Sequence, residues 1–174
     1  MLMAFLNADN KDDSFYTPPW AYESLPIDWT RYKDGLEPSM GDGRIFGFLE
    51  DQGVKMDGRD LDWQSETNQD EDFLNWDGYV DLIMTNPPFS KALEFMVHGI
   101  NRCKTMLLLL PLNYLGSQKR HKFYSVNPPD ALFVLSKRPS FTPDGKTAAK
   151  DYGWYLWQTG EKHVKPGLHF LMPS

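Results

Sequence analysis

Residues Val80-Asp81-Leu82-Ile83-Met84-Thr85-Asn86-Pro87-Pro88-Phe89-Ser90 constrain this chain more than any other stretch. A short apolar run bounded by breakers reads as a buried strand. Two prolines end it, because neither can donate a backbone N–H to a ladder. The first also pushes Asn86 into an extended conformation. The strand therefore closes in a stiff elbow carrying a carboxamide, neighbouring carbonyls and an aromatic ring. In open α/β sheets, ligands bind beyond the carboxyl ends of the strands, which makes the elbow a candidate site. The same residues are also a common way to stop a strand, with Phe89 as a core residue. A second copy, Asn127-Pro128-Pro129-Asp130, follows no apolar strand and ends in Asp rather than an aromatic. That copy reads as a turn.

The residue types at the elbow suit a planar base with an exocyclic amino group. Such a nitrogen is a poor nucleophile, since its lone pair is delocalised into the ring. The Asn86 side-chain oxygen and the Pro87 carbonyl can each accept one of its N–H bonds, which favours a pyramidal nitrogen. Phe89 can stack on the base. This is catalysis by positioning and electrostatics, without a strong general base.

Around this strand the pattern is that of an α/β chain. Thr17 before Pro18-Pro19 reads as an N-cap, opening a helix from about Trp20 to Tyr32 with an interruption at Pro26. Leu36-Glu37-Pro38-Ser39-Met40-Gly41-Asp42-Gly43-Arg44-Ile45 reads as a strand turning into a helix through a glycine loop. Gly41 and Gly43 let the backbone approach a ligand closely, and the helix start behind them favours an anionic group. An ordinary strand–helix turn looks the same. A second strand spans Val54 to Asp62, and Asp60 stands about 20 residues beyond Gly41, the spacing of a ribose-binding carboxylate. Asp70-Glu71-Asp72-Phe73-Leu74 sets a carboxylate beside an apolar pair. Lys91 to Arg102 has one helical apolar face, Thr105 to Leu112 is the most hydrophobic run and is expected as a central buried strand, and 113–128 is a basic, partly helical connection. Ala131–Leu135, Tyr152–Trp157 and His169–Met172 are strands, with an exposed loop from Thr142 to Asp151. Strands alternating with helices, then strands in succession, predict a mostly parallel sheet with an antiparallel end.

At 174 residues the length fits one domain, read as 14–174 behind a loosely packed lead, 1–13. The longest apolar run, Met106 to Leu112, is too short to cross a bilayer, so no membrane is expected. The single cysteine, Cys103, excludes an internal disulfide and fits a reducing cytoplasm. His98, His121, His163 and His169 show no metal-ligand spacing. Net charge is −6, but it is unevenly spread: residues 1–90 hold 6 Lys+Arg against 19 Asp+Glu (−13), and residues 91–174 hold 12 against 5 (+7). Such asymmetry hints at a charged partner. Lys119, Arg120 and Lys122 form one basic cluster, with Lys137, Arg138, Lys146 and Lys150 beyond it; solvated surface charge is the alternative for each.

In this order the blocks resemble the S-adenosylmethionine-dependent DNA N6-adenine methyltransferases of the small phage-encoded kind. The resemblance spans about residues 14–160. It implies a Rossmann-like seven-stranded sheet, mostly parallel with an antiparallel last strand, that binds S-adenosylmethionine and acts on adenine flipped out of duplex DNA in a host cytoplasm. Phe15-Tyr16-Thr17-Pro18-Pro19 is similar to the block that holds the cofactor's methionine end. Glu37-Pro38-Ser39-Met40-Gly41-Asp42-Gly43 is similar to the cofactor loop, and Asp60 to the ribose ligand. By the same resemblance Asp72 would accept from the cofactor's adenine amino group, with Phe73 beside the ring. Asn86-Pro87-Pro88-Phe89 would be the catalytic tetrapeptide, and Phe141 would meet the flipped base from its other side. A separate target-recognition domain is not expected within these 174 residues, so sequence choice would fall to loops 113–125 and 139–151, to a partner, or be lax. RNA adenine, a glutamine side-chain amide and an inactive cofactor-binding module are the alternatives.

Overall fold

The computed structural model describes residues 16–60 and 72–172. The expected lead 1–13, Phe15, Asp62, Asp70 and Glu71 lie outside these. Seven strands form one sheet: β1 (Asp34–Glu37), β2 (Lys55–Gly58), β3 (Val80–Thr85), β4 (Cys103–Pro111), β5 (Ala131–Leu135), β6 (Tyr152–Gln158) and β7 (Gly167–Leu171), in the order β2-β1-β3-β4-β6-β5-β7. β1 to β4 run parallel to one another, β6 is antiparallel to both β4 and β5, and β7 is parallel to β5. The sheet is thus mostly parallel, as expected. Its one inverted strand is β6 rather than the chain's last, because β7 follows it and turns back alongside β5.

Among the described residues four α-helices accompany the sheet: α1 (Trp20–Glu23), α2 (Arg44–Asp51), α3 (Ala92–Gly99) and α4 (Gln118–Val126). Alternation along each strand splits the core into two layers. Leu82, Met84, Leu107, Leu109, Trp154 and Leu156 pack with Ala21, Tyr22, Ile45 and Leu49 on one face. Ile83, Met106, Leu108, Leu110, Tyr155 and Trp157 pack with Phe95, Met96 and Phe123 on the other. β3 and β4 are covered on both faces, which is why they read as continuous apolar runs. Each fully buried leucine contributes roughly 1.5–3 kcal/mol by removing apolar surface from water.

The helix expected over 20–32 is shorter. α1 ends at Glu23, and a 3-10 turn, Trp29–Arg31, follows Pro26. Trp29 and Tyr32 are buried, so their spacing reflects packing on the sheet and not a continuous helix. Thr17 is not the cap of α1 either, since Pro19 occupies that position without a side-chain bond. At the amino edge Asp81 crosses three strands. Its carboxylate accepts from the Lys33 amide at 2.9 Å and meets Lys104 Nζ at 2.5 Å, and its own amide donates to Asp34 at 2.7 Å. These bonds fix the β1–β3–β4 register, and through it which residues stand level at the opposite edge.

Candidate active site

Strand order reverses between β1 and β3: β2 lies outward of β1, whereas β4 and the rest lie outward of β3. A switch point of this kind leaves a crevice at the carboxyl ends of the two strands. Glu37 ends β1 and opens the glycine loop, and Thr85 ends β3 and opens the elbow. The Thr85 hydroxyl donates to the Ser39 carbonyl at 3.4 Å, so the two candidate loops are in direct contact.

The loop owes its shape to its glycines. Gly41 and Gly43 have φ of 54° and 76°, left-handed values that other residues adopt only at a cost. Gly43 donates to the Met40 carbonyl at 2.9 Å and precedes α2. Asp60, just past the end of β2, accepts from the Gly41 amide at 2.7 Å, tying the loop to the neighbouring strand. A Cβ on Gly41 would meet nothing within 4 Å, so the backbone there is open to a ligand. Arg44 pairs with Asp42 at 2.5 Å and lies over the Tyr16 ring at 5.5 Å. Pro38 is buried between the loop and β1.

Glu37 is 2% exposed, and its Oε2 has no hydrogen-bond partner among the described residues. Burial pushes its carboxyl well above the usual carboxylate range; a Phe46 backbone hydrogen bond opposes this and the Asp42 and Asp60 charges add to it. A buried acceptor without a donor is costly, and an incoming ammonium or hydroxyl would relieve it. For folding, a raised carboxyl pKa means that stability is fully present below the ordinary value and is lost as pH rises through the folded one. Glu37→Gln is therefore expected to raise the melting temperature of the ligand-free protein at pH 8. The gain should read as a rise in melting temperature, at roughly 2–4 °C per kcal/mol for this size, and should vanish toward about pH 4. Calorimetry across that range checks it; a gain independent of pH would assign the titration to another group.

At the elbow, Asn86 and Phe89 are half-buried and Pro87 is buried. The Asn86 carboxamide nitrogen donates to the Thr17 hydroxyl at 3.2 Å, which fixes the direction of the carboxamide oxygen. Phe89 stands 5.6 Å from the Tyr152 ring and 6.4 Å from the Tyr114 ring, and Tyr152 stands 4.8 Å from Phe141. The Phe141 carbonyl in turn accepts from the Tyr16 amide at 3.0 Å. Contacts therefore run from Thr17 to Asn86, along the elbow to Phe89, and back through Tyr152 and Phe141 to Tyr16. Phe141, which is 3% exposed, backs this ring through Tyr152.

Of the remaining candidates, Asp72 caps a 3-10 turn (Phe73–Asn75) by accepting from the Leu74 amide at 3.0 Å. Phe73 is 2% exposed, its ring enclosed by Trp76, Phe95 and His98 beneath α3. Phe73 belongs to the core layer that also contains Ile83 of β3 and has Phe89 packed against it. Lys119, Arg120 and Lys122 lie on α4, which follows the carboxyl end of β4, and Lys137, Arg138, Lys146 and Lys150 lie between β5 and β6. β4 and β5 point the same way as β1 and β3, so both basic groups emerge at the edge that holds the elbow. The second Asn-Pro-Pro lies between α4 and β5, at the opposite edge, and contributes no elbow. Hollows of about 580 and 550 Å³ elsewhere on the surface contain none of the candidate residues. Residue chemistry marks the crevice, not volume.

Tyr114 and Tyr152 were not legible as site residues. Their only signal was an aromatic at the end of an apolar strand or the start of one.

No family model matches the chain, and no curated protein matches its sequence. Solved structures match its fold. A putative RNA methyltransferase from Pyrococcus horikoshii superposes with a TM-score of 0.67 at 14% identity, over 89% of this chain and 91% of that one. A putative class I S-adenosylmethionine-dependent methyltransferase from Listeria monocytogenes superposes with 0.59 at 16% identity, over 90% and 64%. TehB from Haemophilus influenzae gives 0.50 at 12%, over 80% and 64%. The chain thus spans about two thirds of the length of the latter two. These likenesses establish the class I methyltransferase fold.

Proposed function

We propose that this protein transfers a methyl group from S-adenosylmethionine to the N6 amino group of adenine in DNA, with the base turned out of the duplex into the crevice between β1 and β3. One observation carries the reading: the Asn86-Pro87-Pro88-Phe89 elbow stands against the glycine loop, linked by the Thr85–Ser39 bond. Groups held by the two loops would then face one another across the crevice, as methyl transfer requires.

The residues present fit the cofactor. Glu37 offers a buried carboxyl oxygen for a donor, the open backbone at Gly41 admits close approach, and Asp60 holds the loop while its carboxylate retains capacity for ribose hydroxyls. Tyr16 lies under Arg44 at the start of α2, Thr17 bonds Asn86, Pro38 opens the loop and Gly43 lets it turn into α2; Pro18, Asp72 and Phe73 are retained as candidates beside them. When bound, S-adenosylmethionine supplies an electrophilic methyl on a sulfonium and leaves as the neutral thioether. The chain's own part is to hold the acceptor. The Asn86 oxygen and the Pro87 carbonyl accept the two amino N–H bonds, and Pro88 stiffens the elbow. Phe89 stacks on the base, offsetting part of the few kcal/mol that flipping costs. The nitrogen lone pair attacks, and the excess proton passes to solvent once the nitrogen is cationic. Lys119, Arg120 and Lys122 would meet backbone phosphates, making binding steeply salt-dependent.

RNA adenine is the second reading, favoured by the likeness to the putative Pyrococcus RNA methyltransferase. Transfer of labelled methyl to unmethylated plasmid, to its RNA transcript and to protein, followed by nucleoside digestion, separates the readings. Methylated deoxyadenosine is the expected product. Label confined to RNA or to glutamine would overturn the DNA assignment.

A further inference from the structure

One residue holds the elbow from outside the crevice. Tyr114 ends the 3-10 turn Leu112–Tyr114 at the carboxyl end of β4, the strand beside β3. It is 8% exposed, and its hydroxyl donates to the Phe89 carbonyl at 3.0 Å. That carbonyl also accepts from the Ala92 amide, where the elbow turns into α3. The Tyr114 ring stands edge-on to Phe89, at 80°. Its turn is anchored in turn by the Tyr155 hydroxyl, which donates to the Pro111 carbonyl at 3.0 Å. The Arg120 guanidinium lies over the Tyr114 ring, 3.5 Å from its centroid. A guanidinium stacked on an aromatic face keeps its N–H edge for a phosphate, and Lys119 and Lys122, both exposed, flank it on α4.

We infer that Tyr114 is a positioning residue for the proposed transfer, setting the attitude of Phe89 through its carbonyl, and that Arg120, clamped on the Tyr114 ring, links a backbone phosphate to that attitude. The inference rests on the proposed transfer to a nucleic acid. It adds that substrate engagement and elbow geometry share one pair of side chains. Prolines stiffen Asn86 to Pro88, but Phe89 follows them and needs an external hold. A positioned acceptor gains rate through alignment, so loosening Phe89 should cost turnover more than affinity.

Two variants test this. Tyr114→Phe removes the hydroxyl and keeps the ring under Arg120; Arg120→Lys keeps the charge and loses the planar stack. Tyr114→Phe is expected to lower kcat about 10-fold, the loss of one aligned hydrogen bond, with KM for plasmid DNA and cofactor affinity nearly unchanged. Arg120→Lys should lower kcat by a similar factor, and the double variant should fall little further, because both act through one contact. Hydrogen exchange of the 86–92 peptides in the free protein should quicken in Tyr114→Phe. Wild-type kcat and wild-type exchange in Tyr114→Phe would overturn the inference. Additive losses, or an Arg120→Lys variant changed only in KM, would overturn the link to Arg120. Failure of the wild-type protein to methylate DNA or RNA would instead strike the proposed function, and the exchange result would still decide whether Tyr114 holds the elbow.

Discussion

Asn86→Ala is expected to lower methyl transfer by about 10²- to 10³-fold, the usual loss when one preorganised polar contact to the developing charge is removed, with cofactor binding nearly intact. The carboxamide sits at the carboxyl end of β3, its nitrogen spent on the Thr17 hydroxyl at 3.2 Å. Its oxygen is the group proposed to accept from the amino nitrogen and keep the lone pair out of the ring. Truncation removes the acceptor and leaves the loop at Gly41, with its bond to Asp60, in place. Label transfer from S-adenosylmethionine to plasmid DNA measures the first effect, and equilibrium binding of the cofactor measures the second. Wild-type turnover would remove Asn86 from the mechanism. An equal loss of binding would make it a residue of the cofactor site.

Much of this architecture was legible because it rests on local rules. β3 and β4 announced themselves as apolar runs since both faces of each are covered. The elbow followed from proline chemistry, and the loop from glycines that do adopt positive φ. What escaped were roles settled by partners distant in sequence. Thr17 has the look of an N-cap, yet its hydroxyl serves Asn86, 69 residues away. The Trp20–Tyr32 spacing imitates a helix because Trp29 and Tyr32 are drawn onto the sheet. Tyr114 meets Phe89 only because β3 and β4 end side by side. The inverted strand was recognisable as an aromatic run, but its place before β7 is a matter of topology.

The largest loss of stability is expected at Trp154, and it bears on the site as well. Trp154 lies in the middle of β6, fully buried, and its indole nitrogen donates to the Ala21 carbonyl of α1 at 2.7 Å. One side chain thus fills the core layer and fastens the segment that carries Thr17. Trp154→Ala should cost about 3–5 kcal/mol, as for other buried aromatic truncations, a large share of the roughly 5–15 kcal/mol that domains possess. Trp154→Phe isolates the second role. It keeps much of the apolar burial but leaves the Ala21 carbonyl without its donor, at about 1–3 kcal/mol. Denaturant melts of both variants check the order. If the phenylalanine variant stays folded at assay temperature, its turnover should still fall, because a loosened α1 no longer holds Thr17 against Asn86. Unchanged stability in that variant would mean that the indole bond contributes nothing. Unchanged turnover alongside reduced stability would show that Thr17 is held by Tyr16 and Phe141 alone.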